Sequence, residues 1–529
     1  MSYAADLNPT TCTQPKRGMV AGAGGGYGYK ITDADRLHRF LILGHEGGTY
    51  YANQASLTFE TVDCIDRLLD SAKNLGEIDK IVNTIAEVSN SGRAPKNDSA
   101  IFALAYVVSK GGYAAESAYA VLPGVCRIGT HLFQFVDYCT KLGKGWGSGF
   151  RRAINNWYLD RTPLVVAKQV TKYQSRCGWS HRDIFRKAHP ASTSMNDVFQ
   201  YVTQPERWKD ATHVVSDAME YLNAVERAKQ ASVDDLCDLI REYKLPREVI
   251  PTTMLNSVDV WDALLDSMPL TAMIRNFGKM SSIGLIKPLS DASMKVVNAL
   301  RDTASLKTQR VHPLTLLVAQ KTYSNGRGVR GSLNWRPDQK VVQALDEAFY
   351  AAFDYVEPTG KSFLLGIDVS GSMNHGVCAG CDVLTPREAA AAMAMLTART
   401  EDRSYMLAFS HTIQMLDINP SDSLAAVIRK MSGLRFGATR CAAAIEYAID
   451  QELDVDVFCL YTDNETNTGP HPVNALNAYR RKFNKAAKFA AFGFAQTSFS
   501  LADPADCGMM DFVGFDTAAP TLLSDFARN

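Results

Sequence analysis

Residues 363–373, FLLGIDVSGSM, constrain this chain more than any other stretch. Phe363, Leu364, Leu365 and Ile367 make a short apolar run, long enough for one buried strand and too short for a helix. The run breaks into Asp368, Ser370 and Ser372, three hard oxygen side chains at alternate positions around a Gly371 turn. At the carboxyl end of a parallel strand such a turn aims all three at one point, where open α/β sheets place ligands. A carboxylate with two hydroxyls suits Mg²⁺, which takes few protein ligands and keeps several waters. The plainer alternative is an Asx or Ser turn closing a strand, because these residues form turns in any setting.

Two later stretches favour the site. Residues 457–464, VFCLYTDN, again run apolar and end on an acid, Asp463. Between the two, Gly437-Ala438-Thr439 precedes a helix-like run from Ala442 to Ile449, which sets the Thr439 hydroxyl at a loop edge facing the same point.

Upstream, from Asp33 to about Tyr355, apolar residues recur at three- and four-residue spacing, as in 37–43, 62–69, 78–88, 100–108, 132–138, 154–158, 214–225 and 341–353. No strand alternation is read there, so the expectation is a succession of helices stacked pairwise, an α-solenoid of HEAT type. After Glu357-Pro358-Thr359-Gly360 the pattern changes. Strands are expected at 363–367, 404–409, 457–462 and 488–494, with helices near 386–401, 422–431, 441–451 and 472–484. That alternation predicts a doubly wound parallel sheet. The division is therefore an N-terminal arm at 1–28, a helical module at 29–358 and a sheet domain at 359–529. The glycines of 22–28 read as a flexible leader, since no strand precedes them and no Lys-Ser/Thr pair follows.

Charge is zero overall but unevenly spread. Residues 361–529 hold 19 acidic and 14 basic residues, whereas 120–190 hold 12 Lys/Arg against 3 acids. The second segment is the electrostatic footprint of the chain, although a solvated helix face is the commonest fate of such charges. Eleven scattered cysteines fit a reducing compartment, and no apolar run reaches membrane-spanning length. A cytoplasmic protein without membrane contact is expected.

The residues 36–51 (RLHRFLILGHEGGTYY), 151–158 (RRAINNWY), 171–183 (TKYQSRCGWSHRD), 268–280 (MPLTAMIRNFGKM), 356–373 (VEPTGKSFLLGIDVSGSM) and 502–517 (ADPADCGMMDFVGFDT) carry a specific likeness. The chain from about Tyr29 onward resembles the Ro autoantigen family, a TROVE module followed by a von Willebrand factor A domain. That resemblance implies a ring of HEAT-like helices closed by the A domain, binding Y RNA on its outer face and the 3′ ends of misfolded noncoding RNA in a central hole. It implies RNA contacts at Lys172, Arg176 and His189, with Arg151 and Arg152 as further candidates. On a helix, Lys172 and Arg176 would share one face. Asp368, Ser370, Ser372, Thr439 and Asp463 resemble the metal-ion-dependent adhesion site of A domains, which implies a divalent cation, Mg²⁺, completed by an acid from a partner protein such as a nuclease. A monomer with no DNA partner is expected.

The family's acid beside the Thr is Arg440 in this chain, which adds like charge near a cation. His375, Cys378 and Cys381 sketch a zinc corner that lacks a fourth ligand. The reading is a non-enzymatic RNA-binding scaffold. The alternatives are a metal-dependent protein-adhesion scaffold without a direct RNA role, and a metal-dependent hydrolase, for which no HExxH, GxSxG or Walker A motif is present.

Overall fold

The computed structural model describes residues 19–21, 27–29, 32–44, 49–52, 62–91, 94, 96–210, 215–329, 331–409, 413–432, 440–462, 470–483, 485–494, 501–503 and 505–529. It divides into two compact units. One takes residues 40–45 and 57–293, and the other takes 1–39, 46–56 and 294–529.

The first unit is helical. Helices follow one another as Leu75–Ser91, Asp98–Lys110, Gly112–Val125, Gly129–Lys141, Ser148–Leu159 and Pro163–Lys172, continuing to Leu270–Ser282. Each packs on its chain neighbour or on the helix after it: Leu75–Ser91 lies against Gly112–Val125, and Asp98–Lys110 against Gly129–Lys141. This stacking is the expected solenoid. Asp98–Lys110 is its central element, because Ala100–Val108 is apolar all round and buried without interruption.

The second unit holds a seven-stranded sheet, whose strands are β1 (Thr49–Tyr51), β2 (Phe363–Asp368), β3 (Ser404–Phe409), β4 (Ile413–Met415), β5 (Val457–Thr462), β6 (Lys488–Gly493) and β7 (Met509–Val513). Their order is β1-β7-β6-β5-β2-β3-β4, parallel throughout except for the β3/β4 edge. The direction of winding reverses between β2 and β5, so the carboxyl ends of these two strands flank the switch-point crevice. Helices Pro386–Thr400, Leu424–Ser432, Ala443–Asp450, Pro472–Phe483 and Ala519–Arg528 follow the pattern read from the sequence and extend it by one. Gly366, in the middle of β2, lets one of them approach closely: a β-carbon there would lie 2.9 Å from Ala444 Cβ.

Two features depart from the sequence reading. Strand β1 comes from the stretch read as uninterrupted helix; it pairs with β7 in register Thr49↔Asp511, Tyr50↔Phe512 and Val513↔Tyr51. Three residues are too few for alternation to register, and their pairing partner lies at the far end of the chain. Tyr50 anchors the strand by donating its hydroxyl to Asp516 at 2.7 Å. Within the N-terminal arm, Met19–Ala21 and Tyr27–Tyr29 pair as an antiparallel ribbon, whereas 1–18 and 22–26 lie outside the described residues. The second unit also takes in helices Pro313–Ser324 and Gln339–Ala351. Lys321 pairs with Glu388 at 2.6 Å, and the Tyr350 hydroxyl accepts from the Leu424 amide at 3.1 Å.

Candidate nucleic-acid interface and metal site

The basic segment is built from three helices and a hairpin of the helical unit. Thr162 caps Pro163–Lys172 by accepting from the Val165 amide, with Pro163 preset at the first helical position. The helix ends at Lys172, so Arg176 is not on its face. Arg176 instead lies on a hairpin of Ser175–Arg176 and Trp179–Ser180, in register with Trp179. Cys177 and Gly178, at φ 53° and 77°, make the two-residue turn with both centres left-handed. Ser180 then opens the helix His181–Ala188 with a capping box: its hydroxyl accepts from the Asp183 amide at 3.3 Å while Asp183 accepts from the Ser180 amide at 3.0 Å. His189 closes that helix in the left-handed region and is exposed. A turn and then a helix lead to His189, and the helical face expected to be shared by Lys172 and Arg176 is absent.

Under these residues lies an aromatic layer that fixes the elements. His181 is 2% exposed, takes a 2.7 Å hydrogen bond with the Tyr158 hydroxyl, and packs edge-on against Phe133. Burial pushes its pKa down to about 3, so the ring is a neutral core group. Helix Ser148–Leu159, which carries the exposed Arg151 and Arg152, is tied to the end of His181–Ala188 by Asn155, whose amide donates to the Ala188 carbonyl at 3.1 Å.

Ten of the segment's twelve cations fall into two sets. Arg127 donates to Ser89, Asn90 and Gly124; Lys141 pairs with Asp137 at 2.8 Å; Arg161 lies over the Trp157 ring, 3.9 Å from its centroid. These hold the fold together. Among the described residues, Arg151, Arg152, Lys172, Arg176, Arg182, Arg186 and Lys187 form no ion pair, and all but the half-buried Lys172 are exposed. The structure thus leaves all four candidate Lys/Arg residues among the unpaired ones. Helical spacing already matches Lys141 with Asp137 and Arg161 with Trp157, whereas Arg127 reaches Ser89 and Asn90 only through helix packing.

In the sheet unit, Asp368 ends β2 fully buried. One carboxylate oxygen accepts from the Ser370 amide at 2.7 Å, and the other from the Thr462 hydroxyl at 2.8 Å. The Ser370 and Ser372 hydroxyls lie 3.0 Å apart, with Ser372 exposed at the mouth. The two hydroxyls thus stand side by side on the turn whose backbone Asp368 holds, hard oxygen donors of the kind that Mg²⁺ takes. Thr439 and Asp463 lie outside the described residues.

Two residues of this site escape a sequence reading. Thr462 sits inside an apolar strand, and only the β2/β5 register Ile367↔Tyr461 brings its hydroxyl to Asp368. Arg387, two residues into its helix, is 2% exposed and donates to the Val369 and Ser370 carbonyls, both at 3.3 Å. Burial lowers its pKa and the Asp368 charge opposes that shift, so a fixed cation already faces the carboxylate from behind. Arg440 pairs with the buried Glu446 at 2.7 Å, which offsets the like charge that its position suggested. Cys378 and Cys381 face each other across an isolated β-bridge, buried at 0% and 6% exposure, while His375 is exposed. Among the described residues no cluster of three or more His, Cys, Asp or Glu could hold a metal, which leaves the zinc corner without support.

Comparison with known proteins adds the following. The family profile described as "TROVE domain" matches residues 20–361, and "Ro60 vWA domain" matches 362–527. A protein named RNA-binding protein RO60 from Deinococcus radiodurans is 38% identical over 532 residues, covering 99% of this chain and 98% of its own. Another of that name from Caenorhabditis elegans is 32% identical over 595 residues, covering 98% of this chain and 91% of its own. The crystal structure of the Deinococcus radiodurans RO (RSR) protein superposes with a TM-score of 0.86 at 37% identity, over 94% of this chain and 99% of that one. Among the described residues no helix is long and apolar enough to cross a membrane.

Proposed function

Because the chain belongs to the Ro60 family, a TROVE domain followed by a Ro60 vWA domain, we propose that it is a non-enzymatic RNA-binding scaffold of a ribonucleoprotein. Its relatives are named RNA-binding proteins. The observation that carries the reading is the set of unpaired cations on neighbouring elements: Arg151, Arg152, Lys172 and Arg176 face solvent wholly or in part, and among the described residues no carboxylate pairs with them. Arg grips a phosphate through a bidentate fork and Lys adds a point charge. His189 contributes a hydrogen bond or a stacking face. The ligand of this surface is taken to be a Y-type structured RNA. The 3′ ends of misfolded noncoding RNA enter a separate central hole, in the service of RNA quality control in the cytoplasm.

Asp368, Ser370 and Ser372 favour a second role on the same monomer. They would hold a divalent cation, Mg²⁺, whose free coordination positions take an acid from a protein partner such as a nuclease. Thr439 and Asp463 complete the ligand set in this proposal. A scaffold that only adheres to proteins is the competing reading, and salt separates the two. RNA held through several phosphates weakens log-linearly with salt, whereas a metal-bridged contact responds to chelator. In filter binding across a salt series, the double variant Lys172→Ala, Arg176→Ala should bind structured RNA more weakly, with the slope reduced by about one to two. Wild-type affinity with an unchanged slope would move RNA docking elsewhere.

A further inference from the structure

The hairpin that carries Arg176 also presents indole rings. Trp146 and Trp179 have ring centroids 6.0 Å apart with planes inclined at 43°, and both are half-buried. Phe150 backs Trp146 edge-on at 5.0 Å. Each indole thus has one side supported by the helical unit and part of its ring in solvent.

Their surroundings separate them from ordinary core aromatics. Trp179 stands directly across the hairpin from Arg176, and register partners project from the same face. Trp146 lies two residues before the helix whose first turns carry Arg151 and Arg152. The backbone flanking both rings is open: a β-carbon at Gly145, Gly147 or Gly178 would meet nothing within 4 Å. An aromatic face beside unpaired guanidinium groups, with uncrowded backbone on either side, is what a single-stranded nucleic acid requires. Base-paired RNA hides its ring faces within the stack and cannot use them. The 43° tilt leaves no parallel slot between the two rings, so a base would lie on an outer face.

We infer that Trp146 and Trp179 form a stacking platform for unpaired nucleobases of the bound RNA, with Arg176 on the adjoining phosphate. This rests on the RNA-binding reading above and adds a ligand class to it: a loop, bulge or free strand, taken with little sequence preference because every base has a π-face.

The test compares Trp146→Leu and Trp179→Leu with a Trp146→Phe, Trp179→Phe double variant. Two fluorescently labelled probes of equal length serve, a mixed-sequence single-stranded RNA and a blunt, fully paired duplex, each titrated across a salt series. Each Leu variant should lose about tenfold in affinity for the single strand. The salt slope and the duplex affinity should stay at wild-type values, since no phosphate contact is removed. The Phe double variant, which keeps two ring faces, should retain most of the single-strand affinity. Indole emission of the wild type should quench on adding single strand, and less so in the Phe double variant. Wild-type single-strand affinity in both Leu variants would overturn the inference and leave RNA binding intact. Equal losses on both probes would assign the indoles to structure and overturn it as well. A wild-type protein that binds neither probe would remove the RNA-binding reading itself.

Discussion

The Asn155 amide donates to the Ala188 carbonyl at 3.1 Å, and this bond sets Arg151 and His189 on one edge of the helical unit. Arg151 lies one helical turn before Asn155, and His189 follows Ala188 directly. Replacing Asn155 by Ala removes the donor and should cost about 1 kcal/mol of stability in urea melts. RNA affinity should fall with it at an unchanged salt slope, because His189 loses its placement while every phosphate-binding cation remains. An unchanged affinity would show that His189 is positioned by its own helix alone.

Asp368→Ala should abolish Mg²⁺ binding in calorimetric titration and leave RNA binding close to wild type. The carboxylate is the charged member of the described donor set, and its removal also strips Ser370 and Thr462 of their acceptor. Thr462→Val, which keeps the shape and loses the hydroxyl, should weaken the cation more mildly. Full Mg²⁺ affinity in the Asp368 variant would remove the metal assignment.

Acid sensitivity should trace to buried histidine. His181 titrates near 6.5 when unfolded and is depressed to about 3 by burial in the fold. Between those values the unfolded chain binds a proton that the folded chain does not. Stability from this group is therefore complete above pH 6.5 and falls on acidification toward 3, by about 1.4 kcal/mol per pH unit. His131 and His312, each depressed to about 4 chiefly by burial, add slope with the same sign. Urea melts at a series of pH values should show the loss, and His181→Gln should flatten it. An equal slope in the variant would place the acid sensitivity elsewhere.

Gly366→Ala should destabilise the sheet unit by about 1–3 kcal/mol, since the new methyl would sit 2.9 Å from Ala444 Cβ and force β2 from its helix. Because β2 also carries Asp368, Mg²⁺ affinity should fall along with the melting temperature. A variant as stable as wild type would mean that the helix shifts freely.

For the cysteine pair, loop position alone suggests that substitution is tolerated, but burial predicts otherwise. With Cys378 and Cys381 at 0% and 6% exposure, the double Ser variant buries two hydroxyls and should lose about 1–3 kcal/mol per unsatisfied group. Its zinc content by elemental analysis should match wild type. Loss of one zinc per chain would restore the metal reading of this turn.

Much of the fold was legible before any coordinates. The apolar runs at 363–367, 404–409 and 457–462 appear as β2, β3 and β5 with ends displaced by no more than one residue. Continuous burial on both faces demands unbroken apolar sequence, so these strands announce themselves. Strand β1 did not, because three residues carry no periodicity and its pairing energy comes from β7. The left-handed Cys177 that turns the hairpin just after Arg176 was equally hidden, since a cysteine gives no signal for positive φ.

The site divides along the same line. Sequence by itself determined which oxygens and cations exist and which element ends they sit on: Asp368, Ser370 and Ser372 after β2, and the basic surplus of 120–190. Tertiary structure alone decided their company. Strand register at the switch point brought Thr462 to Asp368, and helix docking buried Arg387 behind it. Helix packing also spent Arg127 on Ser89 and Asn90 from an earlier helix, while among the described residues Arg151, Arg152 and Arg176 face solvent without an ion pair. Local pattern follows from forces between near neighbours in the chain, whereas charge pairing and desolvation depend on groups that only folding brings within a few ångströms.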